Sequence, residues 1–164
     1  MDKADHTRRE VSLEHMEDIM PLIREGLSAG RSVKIAPRGV SMLPMIRQGK
    51  DEVILAPPPP ELKKYDIALY QRENGKYILH RVVRIGESYT FIGDNQFVYE
   101  HGISHERVIA VVAGFTRGGK PKSVRSLSYK LYCRLWHLSR YPRRKLLGLK
   151  RRISALFEKG KDRK

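Results

Sequence analysis

DIALYQRENGKYILHRVVRI, from Asp66 to Ile85, holds two β-prone segments on either side of Glu73-Asn74-Gly75. Asn-Gly between runs rich in Ile, Leu, Val and Tyr is a strong short-range hairpin signal, because both turn residues tolerate φ > 0. An antiparallel strand pair is therefore expected over Asp66 to Gln71 and Tyr77 to Ile85.

Working outward, the same pattern repeats. Ser32 to Ala36 and Asp51 to Ala56 read as short strands upstream, and Tyr89 to Ile92 and Arg107 to Phe115 as strands downstream. Pro57 to Pro60 between them is a stiff polyproline II connector. Short strands at hairpin spacing predict a mainly β (α+β) fold with an antiparallel sheet over residues 31–117.

Helices flank that domain. In residues 1–30, Thr7 and Glu10 have capping-box spacing, and Leu13, Met16, Met20, Ile23 and Leu27 share one helical face. Pro21 interrupts or restarts this helix, and Gly26 and Gly30 offer stops. Gly118-Gly119-Lys120-Pro121 reads as the end of the β pattern and the start of a basic helical tail, residues 118–164. There Leu127, Leu131, Leu135 and Leu138 form one stripe, and Tyr129, Tyr132 and Trp136 another on the opposite side. The aromatics either sit at an interface or cover the β domain. Beyond Pro142, Leu146, Leu149, Ile153, Leu156 and Phe157 align on one face, with Lys145 and Lys150 at its borders and Arg151 and Arg152 away from it. Such a helix suits an anionic membrane surface.

The formal net charge of +15 is concentrated in that tail, where Glu158 and Asp162 are the only acidic residues after Gly118; the body is close to neutral. Cys133 is the single cysteine, which excludes an intramolecular disulfide scaffold. The charged N-terminus lacks the apolar core of a secretory signal, and the longest apolar run, Val108 to Phe115, is far short of the roughly twenty residues that span a bilayer. A cytoplasmic protein, peripheral on the inner membrane surface through its tail, is the expectation.

The chemistry centres on Gly39-Val40-Ser41-Met42-Leu43-Pro44, a tight turn that presents one serine after an apolar strand. A serine hydroxyl needs a nearby base to act as a nucleophile. His80 shares a strand face with Ile78 and Val82, and Gly93-Asp94-Asn95 forms a turn directly after Tyr89 to Ile92. Asp94 either holds the His80 tautomer or closes an Asx-turn on its own backbone. His101 and His105 have helical metal spacing beside Glu100 and Glu106, but a solvated polar loop is the plainer reading.

The middle half of the chain resembles the serine endopeptidases of the signal peptidase and LexA-type clan. The resemblance rests on GVSMLPMI with Gly49 beyond it, Asp66-Ile67-Ala68-Leu69-Tyr70, LHRVV, and IGDN followed by Ile103 and Val108. A histidine at position 80, where much of the clan has lysine, is similar to the endoplasmic-reticulum and archaeal branch. The resemblance implies Ser41 as nucleophile, His80 as general base and Asp94 as its orienter, with Asp66 a second candidate orienter. It places the oxyanion at the backbone of Ser41 and Gly39, the latter at a position where some relatives add a hydroxyl donor that glycine lacks. It implies no cofactor and no metal. The expected substrate is a precursor protein or peptide, and the expected tail contacts on an anionic surface are Lys145, Lys150, Arg151 and Arg152. Two rival readings keep the same β domain: a LexA-like regulator acting through its basic tail on nucleic acid or a partner, and a degenerate peptidase fold that only binds peptides.

Overall fold

A computed structural model describes residues 16–146. The proposed capping box at Thr7 and Glu10, Leu13, and the tail positions Leu149, Lys150, Arg151, Arg152, Ile153, Leu156 and Phe157 lie outside the described residues. The elements run α1 (Met16–Ser28), β1 (Val33–Ile35), β2 (Val53–Ala56), β3 (Ile67–Gln71), β4 (Tyr77–Arg84), β5 (Tyr89–Ile92), β6 (Glu100–Ile103), β7 (Val108–Arg117), β8 (Lys120–Ser123) and α2 (Leu127–Leu138). A 3-10 turn, His105–Arg107, joins β6 to β7. Residues 140–146 are again helical. Among the described residues no helix is long and apolar enough to cross a membrane.

All strand pairs are antiparallel, in the order β1-β2-β7-β3-β4-β5-β6, with β8 paired to β7. The β3–β4 hairpin sets Ala68 opposite His80 and Ile67 opposite Arg81. Strand alternation then sends these neighbours to opposite faces of the sheet. On one side a small core gathers Leu62, Tyr70, Val82, Tyr89 and Phe91. On the other, α1 contributes Ile19, Met20, Ile23 and Leu27 to a larger core with Val53, Leu55, Leu69 and Val112, and Met42, Met45 and Ile46 of the serine turn join it.

Two expectations are corrected. Residues 100–103, read as polar loop, form β6, paired with β5. The Gly118-Gly119 step, read as the end of the β pattern, is the turn of one more hairpin: both glycines have positive φ, and β8 returns along β7. Glycine adopts that conformation without the steric cost other residues bear.

The aromatic stripe of α2 covers the β domain. Tyr129 and Cys133 are buried against the larger core, and the Ser126 hydroxyl caps the helix by accepting from the Tyr129 N–H. Arg81, fully buried on β4, ties this helix to the sheet. Its Nε and Nη2 donate to the two Asp94 oxygens at 2.7 Å each, while Nη1 donates to the Tyr65 carbonyl at 3.0 Å, to the Tyr129 hydroxyl at 2.8 Å and to Cys133 Sγ at 3.0 Å. Burial works against the Arg81 charge, but Asp94 holds its pKa well above the ordinary value. Trp136 Nε1 donates to the Asp94 carbonyl at 2.9 Å, and Arg140 Nη1 donates to the carbonyls of Gly93 and Gln96.

Removing one member of a buried, fully bonded ion pair strands the other charge in the interior. Asp94→Asn is therefore expected to destabilise the fold by about 3–5 kcal/mol, measured as a lowered urea midpoint; a midpoint unchanged from wild type would contradict this account of Arg81.

Candidate active site

The serine turn follows β1. Gly39 has φ +90° and Ser41 is half-buried in a run of turns that reaches Met45, closed by Leu43 N–H to the Val40 carbonyl and Ile46 N–H to the Met42 carbonyl. Its exit is braced by Asp51, whose carboxylate accepts from the Arg47 N–H, Nε and Nη2 at 2.9, 2.9 and 2.7 Å. The Arg47 hydrogen bond holds the Asp51 carboxyl below its usual range, although burial opposes the shift.

A second clamp comes from the Gly93-Asp94-Asn95 turn. Asn95 N–H donates to the Ser41 carbonyl at 2.8 Å, and Asn95 Nδ2 donates to the Val40 carbonyl at 3.2 Å. A Cβ on residue 93 would stand 2.7 Å from the Ser41 carbonyl oxygen, so only glycine lets the two turns approach this closely.

Ser41 and His80 line one cavity of about 240 Å³, together with Gly39, Met42, Gln48, Arg72, Leu79 and Gln96 among others. Among the described residues no hydrogen bond joins the Ser41 hydroxyl to the imidazole. A gap of that kind is common in substrate-free serine enzymes, where the catalytic contact tightens in the complex.

The carboxylate that reaches His80 belongs to Glu100. His80 Nδ1 lies 3.0 Å from Glu100 Oε1 and 3.4 Å from the Tyr70 hydroxyl. Arg72 in turn holds Glu100 in a two-pronged ion pair, Nε to Oε2 at 2.7 Å and Nη2 to Oε1 at 2.5 Å. Burial pushes the Glu100 carboxyl up, but the Arg72 hydrogen bond and the neighbouring Tyr70 and His80 bring it below its ordinary value. An ionised Glu100 accepts a hydrogen bond from Nδ1–H, which leaves Nε2 with the lone pair. For His80 itself burial dominates and lowers the pKa below the usual 6.5, with Glu100 pulling the other way and Arg72 adding to the depression. The buried imidazole is thus neutral at pH 7 and oriented by a carboxylate, as a general base must be.

Other sequence-predicted residues fall elsewhere. Asp94, proposed as the orienter, has both oxygens engaged by Arg81 on the opposite face of β4 from His80. It acts on the site through its backbone turn. Asp66, the second candidate, accepts from the Lys63 N–H at 2.8 Å and closes the turn into β3. The Gly39 N–H, offered as an oxyanion donor, is taken by Gln48 Oε1 at 2.7 Å. The Ser41 N–H has no acceptor among the described residues. His101 and His105 turn their Nδ1 atoms to Thr90 and Tyr89, at 3.3 and 3.2 Å. Lys145 is exposed, its ammonium 4.8 Å from the Tyr141 ring centroid.

Comparison with protein-family models, curated proteins and solved structures gives no match for this chain.

Because its nearest clash, at 2.7 Å, is with the Ser41 backbone carbonyl, whereas the Gln96 side chain at 3.0 Å can swing away, Gly93→Ala is expected to displace the serine turn and cost roughly 1–3 kcal/mol of stability. Thermal unfolding reads the loss. A crystal structure of the variant should show the Ser41 carbonyl moved from Asn95; an unmoved turn with unchanged stability would refute the close-approach account.

Proposed function

We propose that this chain is a serine endopeptidase that hydrolyses a peptide bond in a precursor protein or peptide, with Ser41 as nucleophile, His80 as base and Glu100 as the residue that positions His80. One observation carries the reading: Ser41 and a neutral, carboxylate-held His80 open onto the same cavity. The signal peptidase and LexA-type resemblance of the surrounding motifs supports it.

In this reading a substrate carbonyl enters the cavity beside Ser41. Ser41 Oγ attacks the carbonyl carbon while its proton passes to His80 Nε2, and the imidazolium is stabilised by Glu100. The developing oxyanion is met by the Ser41 N–H, which has no acceptor among the described residues. Collapse expels the amine, which takes the proton from His80 and leaves an acyl-serine. Water then attacks with His80 again as base, and the released acid and free Ser41 complete the cycle. Tyr70, whose hydroxyl is held protonated chiefly by burial, stays a hydrogen-bond donor beside Nδ1. The proposed setting is the cytoplasm or the inner face of a membrane.

The LexA-like alternative draws on the basic surface from Lys120 and Lys122 of β8 through Arg134 of α2, with no acidic residue between Gly118 and Leu146. It requires salt-dependent binding to duplex DNA that persists in Ser41→Ala.

A serine-reactive acylating probe separates these readings. Wild type should be labelled at Ser41, and Ser41→Ala not at all. His80→Ala should slow labelling by a factor on the order of 10² or more. The wild-type rate should rise as His80 loses its proton, with a midpoint below about 6.5. Glu100→Gln should slow labelling on the order of a hundredfold and move the midpoint lower still, because the carboxylate favours the protonated imidazole. Absence of labelling in wild type alongside a reactive control enzyme would remove the peptidase reading.

A further inference from the structure

Helix α2 has two apolar faces, and the fold uses one. Tyr129 and Cys133 are buried, and Tyr132 and Trp136 stack on each other beside them. On the opposite side Leu127, Leu131, Leu135 and Leu138 are 54–82% exposed. Their spacing of four, four and three residues draws a single ridge along a helix of about 18 Å. Tyr141 and Leu146 continue the exposed apolar surface past the helix end. Singly scattered surface leucines need no explanation, but an aligned row on a helix already anchored by its other face does.

Charge identifies what this ridge meets. Lys130 and Arg134 are exposed one position before Leu131 and Leu135 and follow one border of the ridge, and Arg144 and Lys145 stand exposed beyond it. Between Gly118 and Leu146 there is no acidic residue to balance them. A second copy of this chain would bring the same positive border against its own. A nucleic-acid backbone would satisfy the cations but offers no apolar surface to the leucines. An anionic lipid surface satisfies both at once, since acyl chains receive the ridge and headgroups receive Lys130 and Arg134.

We propose that the leucine ridge of α2 docks on an anionic lipid bilayer, with Leu127, Leu131, Leu135 and Leu138 inserted at the headgroup–acyl boundary and the exposed lysines and arginines at the phosphates. The contact is independent of the peptidase reading, since none of these side chains lines the Ser41 cavity. Trp136, on the inward side of the same helix, and Arg140, just past its C-terminal end, grip the Gly93–Gln96 turn. Docking therefore holds the site at a fixed attitude to the surface.

The test is co-sedimentation of the full chain with vesicles of phosphatidylcholine alone or mixed with phosphatidylglycerol, with light scattering for mass in solution. Wild type should bind the mixed vesicles, leave the neutral ones, and be monomeric. Leu131→Ser with Leu135→Ser should weaken binding on the order of a hundredfold with an unchanged melting temperature, since both leucines are exposed in the fold. Lys130→Glu with Arg134→Glu should weaken it about tenfold or more. Undiminished binding by the serine variant would mean attraction by charge alone and would overturn the insertion. So would failure of wild type to bind, or a wild-type dimer that the serine variant splits, which would assign the ridge to a second copy. Loss of Ser41 labelling with vesicle binding intact would strike the peptidase reading and leave this one standing.

Discussion

The Arg81–Asp94 pair is the constraint on which the other parts converge. A guanidinium with almost no solvent contact has to be neutralised and saturated, and here one carboxylate, one carbonyl, one phenol and one thiol do so. Arg81 stands on β4, and its partners come from the turn into β3, the turn after β5, and α2. The ion pair therefore fixes the relative positions of elements that strand pairing alone leaves free, and a geometry in which any one of them drifts leaves buried charge without partners. The serine turn inherits this order, because the loop that Arg81 holds by its side chain holds Ser41 by its backbone.

His80 and Arg81 divide the work of adjacent positions on a strand. Alternation sends the imidazole towards Tyr70 and Glu100, and the guanidinium towards α2. The candidate site is on one face and the scaffold on the other. Glu100 is tuned by two opposing influences, the burial that disfavours its charge and the Arg72 fork that restores it, and the imidazole is kept neutral because burial outweighs the carboxylate's attraction.

Much of this was readable from residue types. The Asn-Gly hairpin, the β-branched runs and the spacing of Met20, Ile23 and Leu27 led to the right elements because local propensity and burial agree there. The Gly39–Pro44 turn and His80 stood out for the same reason. Glu100 did not. Glu-His-Gly-Ile carries no strand pattern, and β6 exists because β5 offers it an edge with Phe91 opposite Glu100; its distance from His80 depends on pairing across a turn and a bulge. Asp94 was legible as an important carboxylate, but its partner was not, since Arg81 reads as an outward charge until α2 covers it. β8 was hidden behind two glycines that looked like an ending and are a hairpin turn.

The grip of Trp136 and Arg140 on the Gly93–Gln96 turn bears on when the candidate site takes shape during synthesis of the chain. The segments that carry Ser41, His80 and Glu100 leave the ribosome well before α2 does. Until α2 emerges, Arg81 lacks Tyr129 and Cys133, and the loop beneath Ser41 lacks its outer brace. The cavity is therefore completed last, by residues that do not line it, and a nascent chain carries the side chains of the candidate site for a time without the frame that aligns them.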